Sequence, residues 1–65
     1  MAAVKKNFVV AAKNGLNVRE EPGKQFKVIE VLPFETKVTI NPDAETPDGW
    51  VALKDGGFVM AEFLK

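Results

Sequence analysis

The chain has 65 residues, which is enough for one domain and too few for two. Its residues are 46% hydrophobic and 28% charged, which is typical of a globular rather than a disordered protein. Nine basic and nine acidic side chains cancel, so we expect neither nucleic acid nor an anionic membrane as partner. The absence of Cys excludes disulfides and thiolate metal sites.

The first two predicted strands are short and are joined by a turn. Residues 8–12 form an apolar run of β type, and the turn Lys13-Asn14-Gly15 follows it. In the next strand, residues 16–19, Leu16 and Val18 point inward and their neighbours point outward. Residues 1–7 are left as an N-terminal extension of a domain that spans residues 8–65.

A loop over residues 20–25 leads to the third predicted strand. Pro22-Gly23 is expected to end the second strand, with a positive φ at Gly23. Residues 27–32 are apolar nearly throughout, which predicts a strand covered on both faces. Residues 33–35 break this strand.

The second half of the chain predicts a further strand, a long polar loop and a hairpin. Residues 36–40 alternate as a half-buried strand does, and residues 41–49, with two prolines and three acids, form a solvated loop. Residues 50–53 form the next strand, which pairs with Phe58-Val59 across the tight turn Asp55-Gly56-Gly57.

Residues 60–64 are expected to form one helical turn that closes the end of a barrel. Five or six short strands with frequent turns predict an all-β fold, a small barrel with one short helical turn near the C-terminus. The predicted core consists of the inward-facing apolar residues Val10, Leu16, Val18, Val28, Val31, Leu32, Val38, Ile40, Val51, Leu53, Val59 and Leu64.

Several motifs occur in an order that resembles one known family. They are Leu-Asn-Val-Arg-Glu-Glu-Pro-Gly at 16–23, Lys-Val-Ile-Glu-Val-Leu at 27–32, Gly-Trp-Val at 49–51 and Gly-Phe-Val at 57–59. Over residues 8–64 the chain resembles the bacterial SH3 family (SH3b), which implies an SH3-like barrel. The resemblance also implies a binding module that attaches to cell-wall peptide or to a companion protein domain.

The chain departs from the family pattern at three positions. Phe58 stands where the family more often has Trp, and Glu30 and Glu35 stand where it often has Gly. The missing glycine at 35 implies either a turn that needs no positive φ or a strained one.

Catalytic and metal sites are not predicted. The chain has no Ser, Cys, His or Tyr, and neighbouring Glu20 and Glu21 point to opposite faces of an extended chain. Asp43, Glu45 and Asp48 alternate in the polar loop but lack the spacing and glycine of an EF-hand. We therefore expect no enzyme activity, no metal and no cofactor.

The candidate ligand-binding residues are Trp50, Asn17, Arg19, Glu21 and Phe26. Trp50 faces away from the core beside the polar loop, so it is either a ligand platform or a lid on a thin core. Arg19, the only arginine, either holds a ligand carboxylate or tethers a nearby carbonyl or carboxylate, and we favour the tether.

Two functions remain open. The first is a recognition module for cell-wall peptide (peptidoglycan) or a protein partner. The second is a structural or assembly module that weakly self-associates or docks a companion domain, as zero net charge and exposed sheet edges favour. A nucleic-acid barrel is disfavoured because lysines cluster only at the start of the chain.

The resemblance implies an extracytoplasmic location, but residues 1–6 lack the apolar core of a signal peptide. Three expectations are consistent with the lack of this apolar core: a fragment of a longer protein, a phage- or plasmid-encoded protein, or a cytoplasmic protein.

Overall fold

A computed structural model describes residues 5–65 and shows six strands and one short 3₁₀ turn. The strands are β1 (Asn7–Val9), β2 (Leu16–Arg19), β3 (Val28–Leu32), β4 (Lys37–Asn41), β5 (Trp50–Leu53) and β6 (Phe58–Met60), and the 3₁₀ turn is Ala61–Phe63. The predicted all-β fold with one helical turn near the C-terminus is confirmed. β1 begins at Asn7, the last residue of the predicted extension, and residues 1–4 lie outside the described residues.

The strands form one antiparallel sheet in the order β1-β4-β5-β6-β2-β3. The chain returns to β1 at its C-terminal end, where Val9 and Lys65 exchange two backbone hydrogen bonds of 2.8 and 3.0 Å. This contact closes the curled sheet on one side, whereas β3 pairs only with β2 and lies at the edge. No helix within residues 5–65 is long and apolar enough to cross a membrane.

The core is small and is centred on three fully buried valines. Val10 directly follows β1, and Val18 and Val59 come from β2 and β6. Three further residues are buried, and six partly buried side chains pack around the centre: Leu16, Ile40 and Ala52, then Ala12, Leu32, Val38, Val51, Leu53 and Leu64. The predicted core is thus confirmed except at Val28 and Val31.

The prediction that β3 is covered on both faces was wrong. Val28, Ile29 and Val31 are 38%, 53% and 53% exposed, and only Leu32 of this strand packs against the core. An apolar run has no period that could distinguish a strand buried on both faces from an edge strand. β3 is an edge strand with a bulge in its pairing to β2, so its apolar side chains face solvent.

The loop after β2 also turns differently from the prediction. Gly23 does not have a positive φ, and it begins the turn instead of occupying its centre. The Phe26 N–H donates to the Gly23 carbonyl at 3.2 Å, so residues 23–26 form the turn. The predicted conformation at Gly23 was therefore wrong, although the strand ends where expected.

The turn between β3 and β4 is strained at Glu35, one of the two alternatives left by the sequence. Glu35 has a φ of 68°, a left-handed conformation that its Cβ disfavours. The turn is held by the Thr36 N–H and hydroxyl, which both donate to the Pro33 carbonyl at 3.1 and 2.7 Å. The Glu35 N–H donates to the Val10 carbonyl at 2.9 Å, so the turn cannot relax without losing this contact with the core strand.

We predict that Glu35→Gly stabilises the protein. Left-handed geometry costs a non-glycine residue about 1–2 kcal/mol, and glycine's greater freedom in the unfolded chain offsets about half of the gain. We expect a net gain of about 0.5–1 kcal/mol, measured as a rise of about 2–8 °C in the melting temperature.

The matched control is Glu30→Gly, because Glu30 is also exposed but lies in a strand. Glycine weakens a strand interior, so this variant should melt at a lower temperature than the parent. Equal shifts in the same direction for both variants would contradict the assignment of strain to Glu35.

Candidate functional site

Residues of β2, β5 and β6 share the face of the sheet that is turned away from the core. Directly opposed residues of antiparallel strands point to the same side, and Trp50 lies opposite Met60 while Arg19 lies opposite Phe58. Asn17 shares this side because it lies two residues from Arg19. The alternation that buries Leu16 and Val18 thus places Asn17 and Arg19 toward Trp50.

A groove of about 340 Å³ lies on this side of the molecule. We call it the recognition groove, and it is lined by residues 12–17, Arg19, Trp50, Met60 and Phe63. Its lining includes the turn before β2, the start of β5, the end of β6 and the 3₁₀ turn. Parts of the chain far apart in sequence therefore meet here, as expected of a binding site on a small barrel.

Trp50 lines the groove from the start of β5, where its backbone is held on both sides. Its N–H donates to the Pro47 carbonyl at 3.1 Å, and its carbonyl accepts a 2.7 Å hydrogen bond from the Thr46 hydroxyl. The end of the polar loop is thereby fastened to the strand. The indole is half-buried, so it offers one surface to the groove while it also packs against the protein.

Arg19 tethers the loop that follows β2. One guanidinium nitrogen, Nη1, donates to the Lys24 carbonyl at 3.0 Å and to the Phe26 carbonyl at 2.9 Å. These two charge-assisted bonds hold the loop against the strand from which Arg19 projects. The tether favoured from the sequence is present, and the side chain also lines the groove.

The structure brings together three of the five candidate ligand-binding residues. Trp50, Asn17 and Arg19 line the recognition groove, whereas Glu21 and Phe26 do not. Glu21 is exposed in the loop, and Phe26 is half-buried and contributes its carbonyl to the Arg19 tether.

Sequence reasoning missed Met60 and Phe63 as groove residues. Their positions depend on the register of β6 against β5 and on the 3₁₀ turn, which turns Phe63 back toward Trp50. The detectable signal was the aromatic residue within the predicted helical turn, since a short helical turn needs no Phe for its own formation.

The charged groups along the groove are cationic. Lys13 and Arg19 are among its lining residues, and none of the lining residues is acidic. Apolar surface from Trp50, Met60 and Phe63 lies beside these cations. The groove therefore suits a ligand with an apolar part and a carboxylate or several carbonyl groups. Among residues 5–65, no group of three or more acids could hold a metal ion.

The family comparison agrees with the motifs. A family model described as a bacterial SH3 domain matches residues 14–65, which include all the strands after β1. The chain belongs to the bacterial SH3 domain family. Membership in this SH3 family indicates a binding module in general terms. No curated protein and no solved structure matches the chain significantly.

We predict that Arg19→Ala destabilises this SH3 domain by about 1–2 kcal/mol, because two loop carbonyls lose their charged donor. The free energy of unfolding in urea measures the effect. Arg19→Lys should recover part of the loss, since a lysine keeps the charge but not the planar fork.

Asn17→Ala is the matched control for this prediction. Asn17 is exposed on the same strand, and its replacement should change the unfolding free energy by less than about 0.5 kcal/mol. If Arg19→Ala were as stable as Asn17→Ala, the tether would make no measurable contribution to the free energy of unfolding.

Proposed function

We propose that this SH3 domain is a non-catalytic recognition module that binds cell-wall peptide in the recognition groove. The observation that carries the proposal is the meeting of Trp50, Met60 and Phe63 with Asn17 and Lys13 along one open groove. Aromatic and thioether side chains provide contact area, and amide and ammonium groups provide hydrogen bonds and charge. A short peptide is a ligand that needs both apolar contact area and polar contacts.

The cationic lining favours an anionic peptide, such as a cell-wall peptide, over a peptide without charge. Peptides of the bacterial wall carry free carboxylates, and Lys13 on the rim is a compact positive charge able to meet one. Arg19 holds its loop through Nη1, so we assign it mainly to shaping the groove. Asn17 is exposed on the same side and supplies both a donor and an acceptor to a peptide backbone.

A titration followed by fluorescence tests the proposal directly. Trp50 is the only tryptophan, so any change in indole emission reports on the groove. Addition of solubilised peptidoglycan fragments should give a saturable shift. A folded protein whose emission is unchanged at the highest soluble fragment concentration would contradict cell-wall recognition at this site.

We predict that Trp50→Ala weakens binding about tenfold or more, a loss of about 1.4 kcal/mol or more, while the domain remains folded. A half-buried indole contributes less to stability than a fully buried one. The substitution should therefore lower the free energy of unfolding by less than about 3 kcal/mol. Cosedimentation with cell walls measures the affinity, and thermal melting measures the stability.

Phe34→Ala is the matched control, because Phe34 is an aromatic residue that is 40% exposed and does not line the groove. Its replacement should leave wall binding unchanged. A large fall in the melting temperature of Trp50→Ala with unchanged affinity would show that the indole is only a lid on the core.

A further inference from the structure

We propose that β3 is an interface strand, and that it pairs antiparallel with β3 of a second copy of this chain around a two-fold axis. The inference does not rest on the proposed function, because no residue of β3 lines the recognition groove. It starts from an edge strand whose side chains are unusually apolar.

Natural proteins protect an exposed sheet edge with charged residues, proline, a β-bulge or a covering segment, and of these β3 has one bulge and one charged residue. Between Val28 and Leu32 the only charged residue of β3 is Glu30, and three exposed aliphatic side chains surround it. The space between β3 and β4 is an open cleft of about 390 Å³, lined on one side by Glu30 and Leu32. Within residues 5–65 β3 is paired on one side only, so its other backbone edge is available for a further strand.

The bulge in β3 decides which side chains share a face. Val18 lies opposite Glu30 and Arg19 lies opposite Val28, so Ile29 is an extra residue between the two pairs. Val31 lies opposite Asn17, which places Val28 and Val31 together on the outer face. Without the bulge, Val28 and Val31 would point to opposite faces of the strand, because they are three residues apart.

The same bulge places Lys27 and Glu30 together on the other face. The Glu20 N–H donates to the Lys27 carbonyl at 3.0 Å, which continues the pairing of the two strands past Arg19. Glu20 follows Arg19, so we infer from continued alternation past the end of β2 that Lys27 lies on the side of Val18, as Glu30 does. A cation and an anion therefore flank the bulge on one face of the edge strand.

Charge complementarity favours one two-fold register over the register centred on Glu30. When the axis passes through the bulge, Lys27 of each copy lies opposite Glu30 of the second copy, and Val28 and Ile29 fill the centre. Centring the axis on Glu30 instead would place two carboxylates directly opposite each other, which is destabilising. The sequence of this edge is thus self-complementary in the way that a two-fold interface requires.

Two paired strands of this length form a small interface, so we expect a dissociation constant in the micromolar range. Sedimentation equilibrium from micromolar to millimolar protein should show a monomer–dimer equilibrium. A parent protein that stays monomeric throughout this range would overturn the proposal.

Charge reversal tests the register. Lys27→Glu and Glu30→Lys should each raise the dissociation constant about tenfold or more, because two attractive pairs become repulsive. The double variant restores opposite charges and should dimerise like the parent. Lys13→Glu, which makes the same charge change away from β3, is the control and should not affect association.

Mixing the two single variants gives the sharpest result. Each is expected to be monomeric alone, and together they should form a heterodimer in which both charge pairs are restored. Melting curves of each variant show that the fold is intact. Failure of both the double variant and the mixture to recover association would overturn the proposed register and the proposal with it.

Discussion

The contact between Val18 and Gly57 sets the position of β2, and the recognition groove depends on it. Gly57 has a φ of 85°, and a Cβ at this position would collide with a methyl group of Val18. Only glycine satisfies both constraints, because it has no side chain and accepts a positive φ. β2 can therefore approach β6 closely enough for Arg19 to lie opposite Phe58. The same approach brings Asn17 and Arg19 next to Met60.

The small size of the domain explains why apolar residues remain on the surface. A chain of about 60 residues buries only about 60% of the surface that it exposes when unfolded. In this chain the centre of the core is filled by Val10, Val18 and Val59, and the partly buried side chains form the remaining layer. Except for Leu32, β3 lies outside that layer, so its other aliphatic residues cover no core surface. Its exposure follows from the topology, since β3 lies at one edge of the sheet.

Local patterns predicted most of the fold because each depends on a few neighbouring residues. The alternation in residues 16–19 indicated correctly that Leu16 and Val18 are buried, and Asp55-Gly56-Gly57 indicated the hairpin between β5 and β6. The run at 27–32 could not be placed in the same way. Its bulge and its edge position arise from pairing with β2, and the sequence of β3 alone carries no sign of either.

The groove was predictable where it depends on strand alternation, and not where it depends on register. Outward-facing Asn17, Arg19 and Trp50 follow from the period of two, and all three line the groove. Glu21 and Phe26 do not line it, because both lie in the loop after β2, where strand alternation no longer fixes the direction of a side chain. Met60 and Phe63 enter it through the β5–β6 pairing and the 3₁₀ turn.

The edge strand and the groove have a combined consequence for recognition. The groove residues come from outside β3, so pairing through β3 would leave a groove available on each copy. Cell-wall polymers repeat their peptide units, and a two-site molecule gains effective concentration for its second contact without any new interaction. If the groove binds cell-wall peptide and β3 pairs as proposed, two weak sites on one dimer would bind a repeating surface more tightly than either site alone. The aliphatic residues that the small core leaves exposed on β3 would then serve the same recognition as the groove.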